Sequence, residues 1–334
     1  MQLTAEQHAL FSGVCDDSQT FVVTTHMNPD GDALGSQIAM ARYLATLGKQ
    51  VRLINGDPTP DVLAFVTEGS QPIEVYDPDV HDEVLRSVDR VILVDNSAPD
   101  RFGRMEPIIT AVADHTLCID HHPTRAAPWA GTILQVGASA TAVLVWDLVR
   151  HRGWEPDEKT CEALFVGLAT DTGFFRYESA SAYAHRVAAD LLERGVSTGA
   201  TYRRIYERNT EAYTRLLGHG LSRLELHAAG RIAAVRLRRE PMIALGAADV
   251  DTGEITTALL SLESVDIVLL FRELAEGRVK VSLRSKGVLD VHKLAAGFGG
   301  GGHRNASGIV LSEPFDDVAE RVIQGAHDLI ASAP

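Results

Sequence analysis

Long apolar runs, paired cysteines and an excess of positive charge are all missing from this sequence of 334 residues. No apolar stretch is long enough to span a bilayer, and no segment has the architecture of a signal peptide. We therefore expect a soluble, cytoplasmic protein with no membrane partner. The three cysteines, Cys15, Cys118 and Cys161, lie far apart with no CxxC pair, which argues against a disulfide framework and against a thiolate zinc site.

The charge balance limits the partners. The net charge is -14 at pH 7, whereas proteins that coat long nucleic acids depend on many lysine and arginine contacts to phosphate. A small phosphorylated substrate held by a metal and a few arginines is compatible with this balance. With 45% hydrophobic and 23% charged residues the composition is that of a globular protein, and the length predicts two domains.

Residues 24–36 combine one imidazole with two carboxylates, and the rest of the chain is organised around them. The segment follows the apolar run 21–23, so it predicts a strand, a loop and then a helix that carry His26, Asp30 and Asp32. The helix is predicted from apolar residues at helical spacing: Leu34, Ile38, Ala41, Ala45 and Leu47. This stretch alone allows two interpretations, an Asx-rich turn with an N-cap aspartate or half of a divalent-metal site.

Three elements further along the chain are also followed by acidic or imidazole side chains. The apolar runs 90–94 and 116–119 predict strands, and residues 158–169 predict a helix. The acidic and imidazole residues that follow these elements are Asp95, Asp120, His121, His122 and Asp171. Strands that alternate with helices are typical of a largely parallel sheet, in which ligands bind outside the carboxyl ends of the strands. We therefore expect these residues to meet at one edge, although Asp171 could instead belong to a simple turn.

Five carboxylates and three imidazoles in one crevice would repel one another without cations. Oxygen donors combined with imidazole suit Mn²⁺, and less specifically Mg²⁺, Fe²⁺ or Co²⁺. Two such metals, about 3.5–4 Å apart, are a general solution for phosphoryl hydrolysis. The sequence therefore predicts a two-metal site.

The chain from residue 225 onward predicts a smaller α/β domain. Its glycine run at 297–302 formally fits G-x-G-x-x-G, but it follows a predicted helix and not the strand that a dinucleotide site requires. His303 and Arg304 follow directly and favour anion binding, with a flexible linker as the alternative.

Together these motifs resemble those of the DHH phosphoesterase superfamily. His26-x-x-x-Asp30-x-Asp32, Asp95-Asn96-Ser97, Asp120-His121-His122 and Asp171 look like its four motifs, and Arg284 with the glycines before His303 is similar to the DHH-associated domain. The length is similar to that of the branch of oligoribonucleases and pAp phosphatases (nano-RNases). The resemblance implies a DHH domain over 1–194, a helical linker over 195–224, a DHH-associated domain over 225–334, and an active site in the cleft between the domains.

The resemblance also implies roles for individual residues. His26 and Asp30 would hold the first metal, and Asp32, His121 and Asp171 the second. Asp95 would be a ligand of both metals. His122 would contact the substrate phosphate, and Asp120 would orient a neighbour. The implied phosphate-binding residues of the second domain are Arg284, Gly300, Gly301 and His303.

The expected activity is hydrolysis of short oligoribonucleotides and linear dinucleotides such as pApA to mononucleotides, and of pAp to AMP, by a metal-bridging hydroxide. The resemblance further implies a homodimer and, in this branch, enzymes that complete the breakdown of cyclic di-AMP. Alternatives are a RecJ-like single-strand exonuclease, a cyclic dinucleotide phosphodiesterase and a non-catalytic nucleotide-binding regulator. A regulator would be expected to have lost ligands such as Asp95, which this sequence retains.

Overall fold

The structure, a computed structural model, describes residues 3–123, 128–248, 250, 252–287 and 289–332. The chain divides into two compact units, Met1–Arg208 and Asn209–Pro334. No helix in the described ranges is both long and apolar enough to cross a membrane.

The described part of the first unit contains one parallel sheet with helices packed on it. Its strands are β1 (Thr20–Thr24), β2 (Gln50–Asn55), β3 (Ile73–Val75), β4 (Arg90–Val94), β5 (Thr116–Asp120) and β6 (Gly131–Leu134). Its α-helices are α1 (Ala5–Asp17), α2 (Gly31–Thr46), α3 (Pro78–Ser87), α4 (Glu106–Ala111), α5 (Thr141–His151), α6 (Glu158–Asp171), α7 (Ala182–Glu193) and α8 (Thr198–Tyr206). The sheet order is β3-β2-β1-β4-β5-β6, with every pair parallel.

Both faces of this sheet are buried. Phe21 and Val23 of β1 pack into one apolar cluster, whereas Val22 between them packs into a separate cluster on the other face. Burial on both faces explains why these strands appear in the sequence as continuous apolar runs. The predicted parallel α/β fold is confirmed. The strand order reverses between β1 and β4, and this is where ligands bind in open parallel sheets.

The contact between α2 and α6 is unusually close. A Cβ added to Gly35 of α2 would lie 2.2 Å from the carbonyl oxygen of Ala163, and one added to Gly31 would lie 2.5 Å from Thr170 Oγ1. These two glycines therefore let the backbones approach, and the N-terminus of α2 comes to lie beside the C-terminus of α6.

The apolar stripe predicted for α2 is partly wrong. Ala45 is exposed, and Leu47, which follows the helix, is 40% exposed. Met40 and Tyr43 lie off the predicted stripe but are buried. The physical reason is that α2 is enclosed by the sheet, α5 and α6 over most of its length, so burial there does not follow one helical face.

The second unit, within its described residues, is built on a mixed sheet. The strands are β7 (Glu225–His227), β8 (Ile232–Leu237), β9 (Ile267–Glu273), β10 (Val279–Ser285), β11 (Gly301–His303) and β12 (Ala306–Leu311). The helices are α9 (Glu211–Leu221), α10 (Arg239–Ala244), α11 (Gly253–Leu260), α12 (Val291–Gly297) and α13 (Phe315–Ala331). The strand order is β11-β12-β10-β9-β8-β7, and β8 with β9 forms the parallel pair.

Candidate metal centre

Three neighbouring strands place the first functional side chains. β1, β4 and β5 lie side by side, and their carboxyl ends lead to His26, Asp95 and His121. Thr25 Oγ1 donates a hydrogen bond of 2.8 Å to the carbonyl of Val94, which ties the ends of β1 and β4 together. Asp95 has a φ of 63°, a left-handed conformation that aspartate tolerates better than most residues. The site thus lies where the strand order reverses.

His26 and Asp30 form the first group of possible ligands. The Nδ1 of His26 lies 2.8 Å from the Met27 carbonyl, which can only accept, so Nδ1 carries the hydrogen and Nε2 is the ligand atom. His26 Nε2 lies 3.9 Å from Asp30 Oδ2 and 3.5 Å from Asp95 Oδ2. Asp30 Oδ1 accepts the backbone N–H groups of Asp32 and Ala33 at 3.0 Å each. Asp30 therefore caps α2 with one oxygen and directs the other at His26.

Asp32, His121 and Asp171 form the second group. His121 Nδ1 donates to the carbonyl of Ala138 at 3.0 Å, so Nε2 is the nitrogen available to bind a metal. This Nε2 lies 3.1 Å from Asp171 Oδ2 and 3.9 Å from Asp32 Oδ2. Asp171 is the last residue of α6 and not part of a separate turn. These three residues are close enough to share one ion.

Asp32 is fully buried and is held by a helix other than its own. Its Oδ2 accepts the N–H of Thr141 at 2.6 Å and its Oδ1 accepts the N–H of Ala142 at 2.8 Å. These are the first residues of α5, whose N-cap, Ala140, offers no side-chain cap. Asp32 therefore supplies the cap that α5 lacks, at the end of the helix that favours negative charge.

Asp95 lies between the two groups. Its Oδ2 faces His26 Nε2, while its Oδ1 lies 3.5 Å from His121 Nε2. Thr141 Oγ1 donates a hydrogen bond of 2.9 Å to the same Oδ1. Since one carboxylate faces both imidazoles with different oxygens, Asp95 has the geometry of a ligand shared by two ions.

His122 and Asp120 form a separate dyad beside these ligands. Asp120 Oδ1 accepts His122 Nδ1 at 2.9 Å and the backbone N–H groups of His121 and His122 at 2.8 and 3.1 Å. Burial alone would raise the pKa of Asp120, but the hydrogen bonds from the ring and backbone of His122 hold it below its usual value. The ring of His122 is 39% exposed, so its Nε2 is the edge available to a ligand.

The electrostatics of the cluster favour cations. Burial and the neighbouring charges of Asp95 and Asp171 raise the pKa of Asp32 well above its usual value. Burial lowers the pKa of His121, but Asp171 and Asp95 outweigh it and raise the pKa to about 9. Within the described ranges, no lysine or arginine forms an ion pair with these carboxylates. Among the described residues, the buried carboxylates thus lack a fixed positive charge beside them, and the cluster favours binding of a cation.

The ring nitrogens support the same conclusion. His26 Nε2 and His121 Nε2 are buried and, among the described residues, face carboxylate oxygens at 3.1–3.9 Å. Imidazole nitrogens and carboxylate oxygens that converge in this way are the donor set of a divalent ion, which would use the lone pair of each nitrogen. Three overlapping groups can each surround an ion: His26, Asp30 and Asp95; Asp32, His121 and Asp171; and Asp95, His121 and His122. The residues fit divalent metal ions.

The predicted phosphate-binding residues lie in the second unit, on its own sheet. Arg284 of β10 pairs with Ala306 of β12, and Ala306 pairs in turn with His303 of β11. Paired residues point to the same face, so Arg284 and His303 share one face two strands apart, at a spacing of about 10 Å. Gly300 precedes β11 and Gly301 begins it; a Cβ on Gly300 would lie 2.3 Å from the carbonyl of Gly308.

The sequence analysis missed the residues that support the metal ligands. Thr141 is the most important, because it contacts Asp95 through its hydroxyl and Asp32 through its N–H. The only signal in the sequence is a threonine at the start of a predicted helix, which is a common feature. The carbonyls of Met27 and Ala138 carry no signal at all.

Fold and site together define a parallel α/β protein with a site suited to divalent metal ions. Residues 20–168 match the family described as "DHH family, N-terminal domain", and residues 239–332 match the "DHHA1 domain". The chain belongs to the DHH family, in the branch that carries a DHHA1 domain.

The similarity to individual proteins extends over nearly the whole chain. The chain is 30% identical to the "Bifunctional oligoribonuclease and PAP phosphatase NrnA" of Thermus thermophilus, over 93% of this chain and 90% of that protein. An exopolyphosphatase-related protein from Bacteroides fragilis matches with a TM-score of 0.85 and 28% identity, covering 98% of this chain and 97% of that one. Exonuclease RecJ bound to manganese shares the fold, with a TM-score of 0.53 and 19% identity over 100% and 98% of the two chains.

Proposed function

We propose that this protein is a two-metal phosphoesterase that cleaves short oligoribonucleotides and linear dinucleotides such as pApA to mononucleotides and converts pAp to AMP. The observation that carries the proposal is the position of Asp95, whose two oxygens face the imidazoles of His26 and His121 at 3.5 Å each. The relative in Thermus thermophilus, which matches at 30% identity, is named for these two activities.

His26 and Asp30 would hold one metal, and Asp32, His121 and Asp171 the other, with Asp95 shared. When bound, the pair of metals would lower the pKa of a water molecule and neutralise charge on the phosphoryl group. Mn²⁺ fits best, because the ligand atoms are carboxylate oxygens and imidazole nitrogens without a thiolate. Mg²⁺, Fe²⁺ and Co²⁺ suit the same donors less specifically.

His122 would act on the substrate. Asp120 accepts the hydrogen on Nδ1 of His122 and so orients the ring, which leaves Nε2 to contact a phosphate oxygen or the leaving oxygen. In the second unit, Arg284, Gly300, Gly301 and His303 would bind phosphate. The common face shared by Arg284 and His303 supports this role.

Three further proposals carry over from the family resemblance. The protein would act as a homodimer, it would work in the cytoplasm, and its action on pApA would link it to cyclic di-AMP metabolism. The net charge of -14 supports short substrates held locally over long nucleic acid coated along its length.

The test is a panel of pAp, pApA, RNA of two to five residues, long single-stranded DNA, cyclic di-AMP and pyrophosphate, each with Mn²⁺. We expect hydrolysis of the first three and loss of activity by at least a hundredfold in Asp95→Ala. Asp114→Ala is the matched control, because Asp114 is exposed and pairs with His115 alone among the described residues. Preferential cleavage of long DNA would indicate a RecJ-like enzyme, and nucleotide binding without hydrolysis would indicate a regulator.

A further inference from the structure

Exposed tyrosine rings lie together on the first unit. Tyr177, Tyr202 and Tyr206 are 55%, 41% and 40% exposed, while the other tyrosines of the chain are buried or half-buried. The edge of Phe174 packs against Tyr202 and Tyr206 at ring-centre distances of 5.0 and 5.4 Å, and these two tyrosines lie 5.0 Å apart. Tyr177 lies near them, because burial and the neighbouring Tyr177 together raise the pKa of Tyr206. We call the rings of Phe174, Tyr177, Tyr202 and Tyr206 the aromatic patch. Exposed aromatic rings that cluster on the surface and do not fill the core are typical of a binding surface.

The patch is attached to the end of α6, where Asp171 lies. The N–H of Tyr177 donates to the carbonyl of Thr172 at 3.0 Å, which folds the chain back onto the helix end. A Cβ added to Gly173 would lie 2.5 Å from the ring of Tyr177, so this ring rests directly on the backbone. One face of the ring is therefore fixed against Gly173, which is two residues beyond Asp171, and the ring is otherwise exposed.

The guanidinium group of Arg176 lies close to the ring of Tyr177. Arg176 is exposed, its Nε donates to the carbonyl of Gly173 at 2.9 Å, and its guanidinium lies 5.9 Å from the centre of the Tyr177 ring. A supported aromatic face next to a guanidinium offers a stacking surface and a charge to a nucleotide. Arg176 and Tyr177 follow Asp171, which completes the second group of metal ligands, by five and six residues in the chain.

We propose that Tyr177 is the stacking platform for a nucleobase of the substrate, with Tyr202 and Tyr206 as the adjoining wall and Arg176 as a phosphate contact. This inference rests on the proposed function and adds how the base is held. Every base has a π-face, so stacking holds bases without reading their identity. That suits an enzyme that consumes short RNA of any sequence.

The test compares substrates with and without a base. pAp and 1-deoxyribose 3′,5′-bisphosphate carry the same phosphates, but the second compound has no adenine to stack. We expect Tyr177→Ala to raise KM for pAp on the order of tenfold, with kcat little changed, and to leave KM for the base-free compound unaltered. Tyr177→Phe keeps the ring and should restore KM. Val80→Ala, an exposed substitution outside the patch, is the control.

Binding is measured independently by calorimetry with AMP and ribose 5-phosphate. The wild type should prefer AMP, and Tyr177→Ala should lose that preference. Equal preference in the two proteins, or an equal rise in KM for both bisphosphates, would overturn the stacking role. A dimer that dissociates on Tyr177→Ala with unchanged KM would show the patch to be an interface between two copies. If the wild-type protein hydrolysed no member of the panel, the proposed function would be refuted, whatever preference for AMP calorimetry shows.

Discussion

Gly35 provides a direct test of how the metal centre is assembled. In Gly35→Ala the new methyl group would lie 2.2 Å from the carbonyl oxygen of Ala163 and 3.3 Å from the N of Gly167. Both are backbone atoms of α6, which cannot rotate away as the end of a side chain could. The helices α2 and α6 must therefore separate by about 1 Å to reach ordinary contact.

Two opposing effects determine how much Gly35→Ala changes the free energy of unfolding. Helix propensity favours alanine over glycine in a helix interior by about 1 kcal/mol. Overpacking a core typically costs about 1–3 kcal/mol, and the rigid backbone obstacle in this case argues for the upper end. We expect a net loss of roughly 1–2 kcal/mol, which lowers the melting temperature of a domain of this size by about 2–8 °C.

The same displacement should weaken metal binding. Asp32 lies at the start of α2 and Asp171 at the end of α6, so a separation of the helices moves these two ligands apart. Metal–ligand distances tolerate only about 0.2 Å. We therefore expect Mn²⁺ to bind Gly35→Ala at least about tenfold more weakly than the wild type.

Thermal and urea unfolding with and without Mn²⁺ would measure both effects. Gly13→Ala is the matched control, since Gly13 lies inside α1 and a Cβ there meets nothing within 4 Å. The control should gain stability, by up to about 1 kcal/mol. If Gly35→Ala gained as much as Gly13→Ala, the close approach of α2 and α6 would be refuted.

Three other perturbations probe the site. Asp120→Asn removes the carboxylate that orients His122, so kcat should fall by about 10²–10⁴-fold while Mn²⁺ affinity measured by calorimetry stays unchanged; an equal loss of affinity would contradict the dyad. Thr141→Val keeps the shape of the side chain but removes the hydrogen bond to Asp95, and Mn²⁺ affinity should fall about tenfold with a nearly constant melting temperature. Because His121, with a pKa of about 9, holds a proton at neutral pH that the metal must displace, Mn²⁺ should bind more weakly as pH falls from 9 to 6; the raised pKa of Asp32 acts in the same direction. Calorimetry in buffers of different ionisation enthalpy should show proton release at pH 7, and its absence would refute this coupling.

The sequence predicts best the strands that are buried on both faces of the sheet. The run 90–94 coincides with β4, and the run 116–119 lies within β5. The short strands β3 and β6 were not predicted, because three or four residues at a sheet edge need no apolar run. The sequence could also place candidate ligands, since polar residues at the ends of apolar strands of a parallel sheet share one edge.

The contacts that hold those ligands in place depend on which helices pack together. Local sequence does not indicate which helices these are. Ala140, the N-cap of α5, provides no side-chain cap, and nothing near it indicates that Asp32, more than a hundred residues earlier, supplies one. Gly35 likewise looks like a weak point in a helix until Ala163 is placed beside it. Helix propensity and periodicity act over a few residues, whereas these contacts join distant segments.

The cap and the metal centre are therefore one cooperative unit. Asp32 accepts the hydrogen bonds from the amides of α5 more strongly when it is ionised. Burial and the charges of Asp95 and Asp171 raise its pKa, however, and so oppose ionisation. A bound divalent ion would remove that opposition, so its binding free energy would also strengthen the start of α5. Thr141, at that start, in turn holds Asp95. It follows that metal removal should loosen the first turn of α5, and that hydrogen exchange at the amides of Thr141 and Ala142 should report metal occupancy directly.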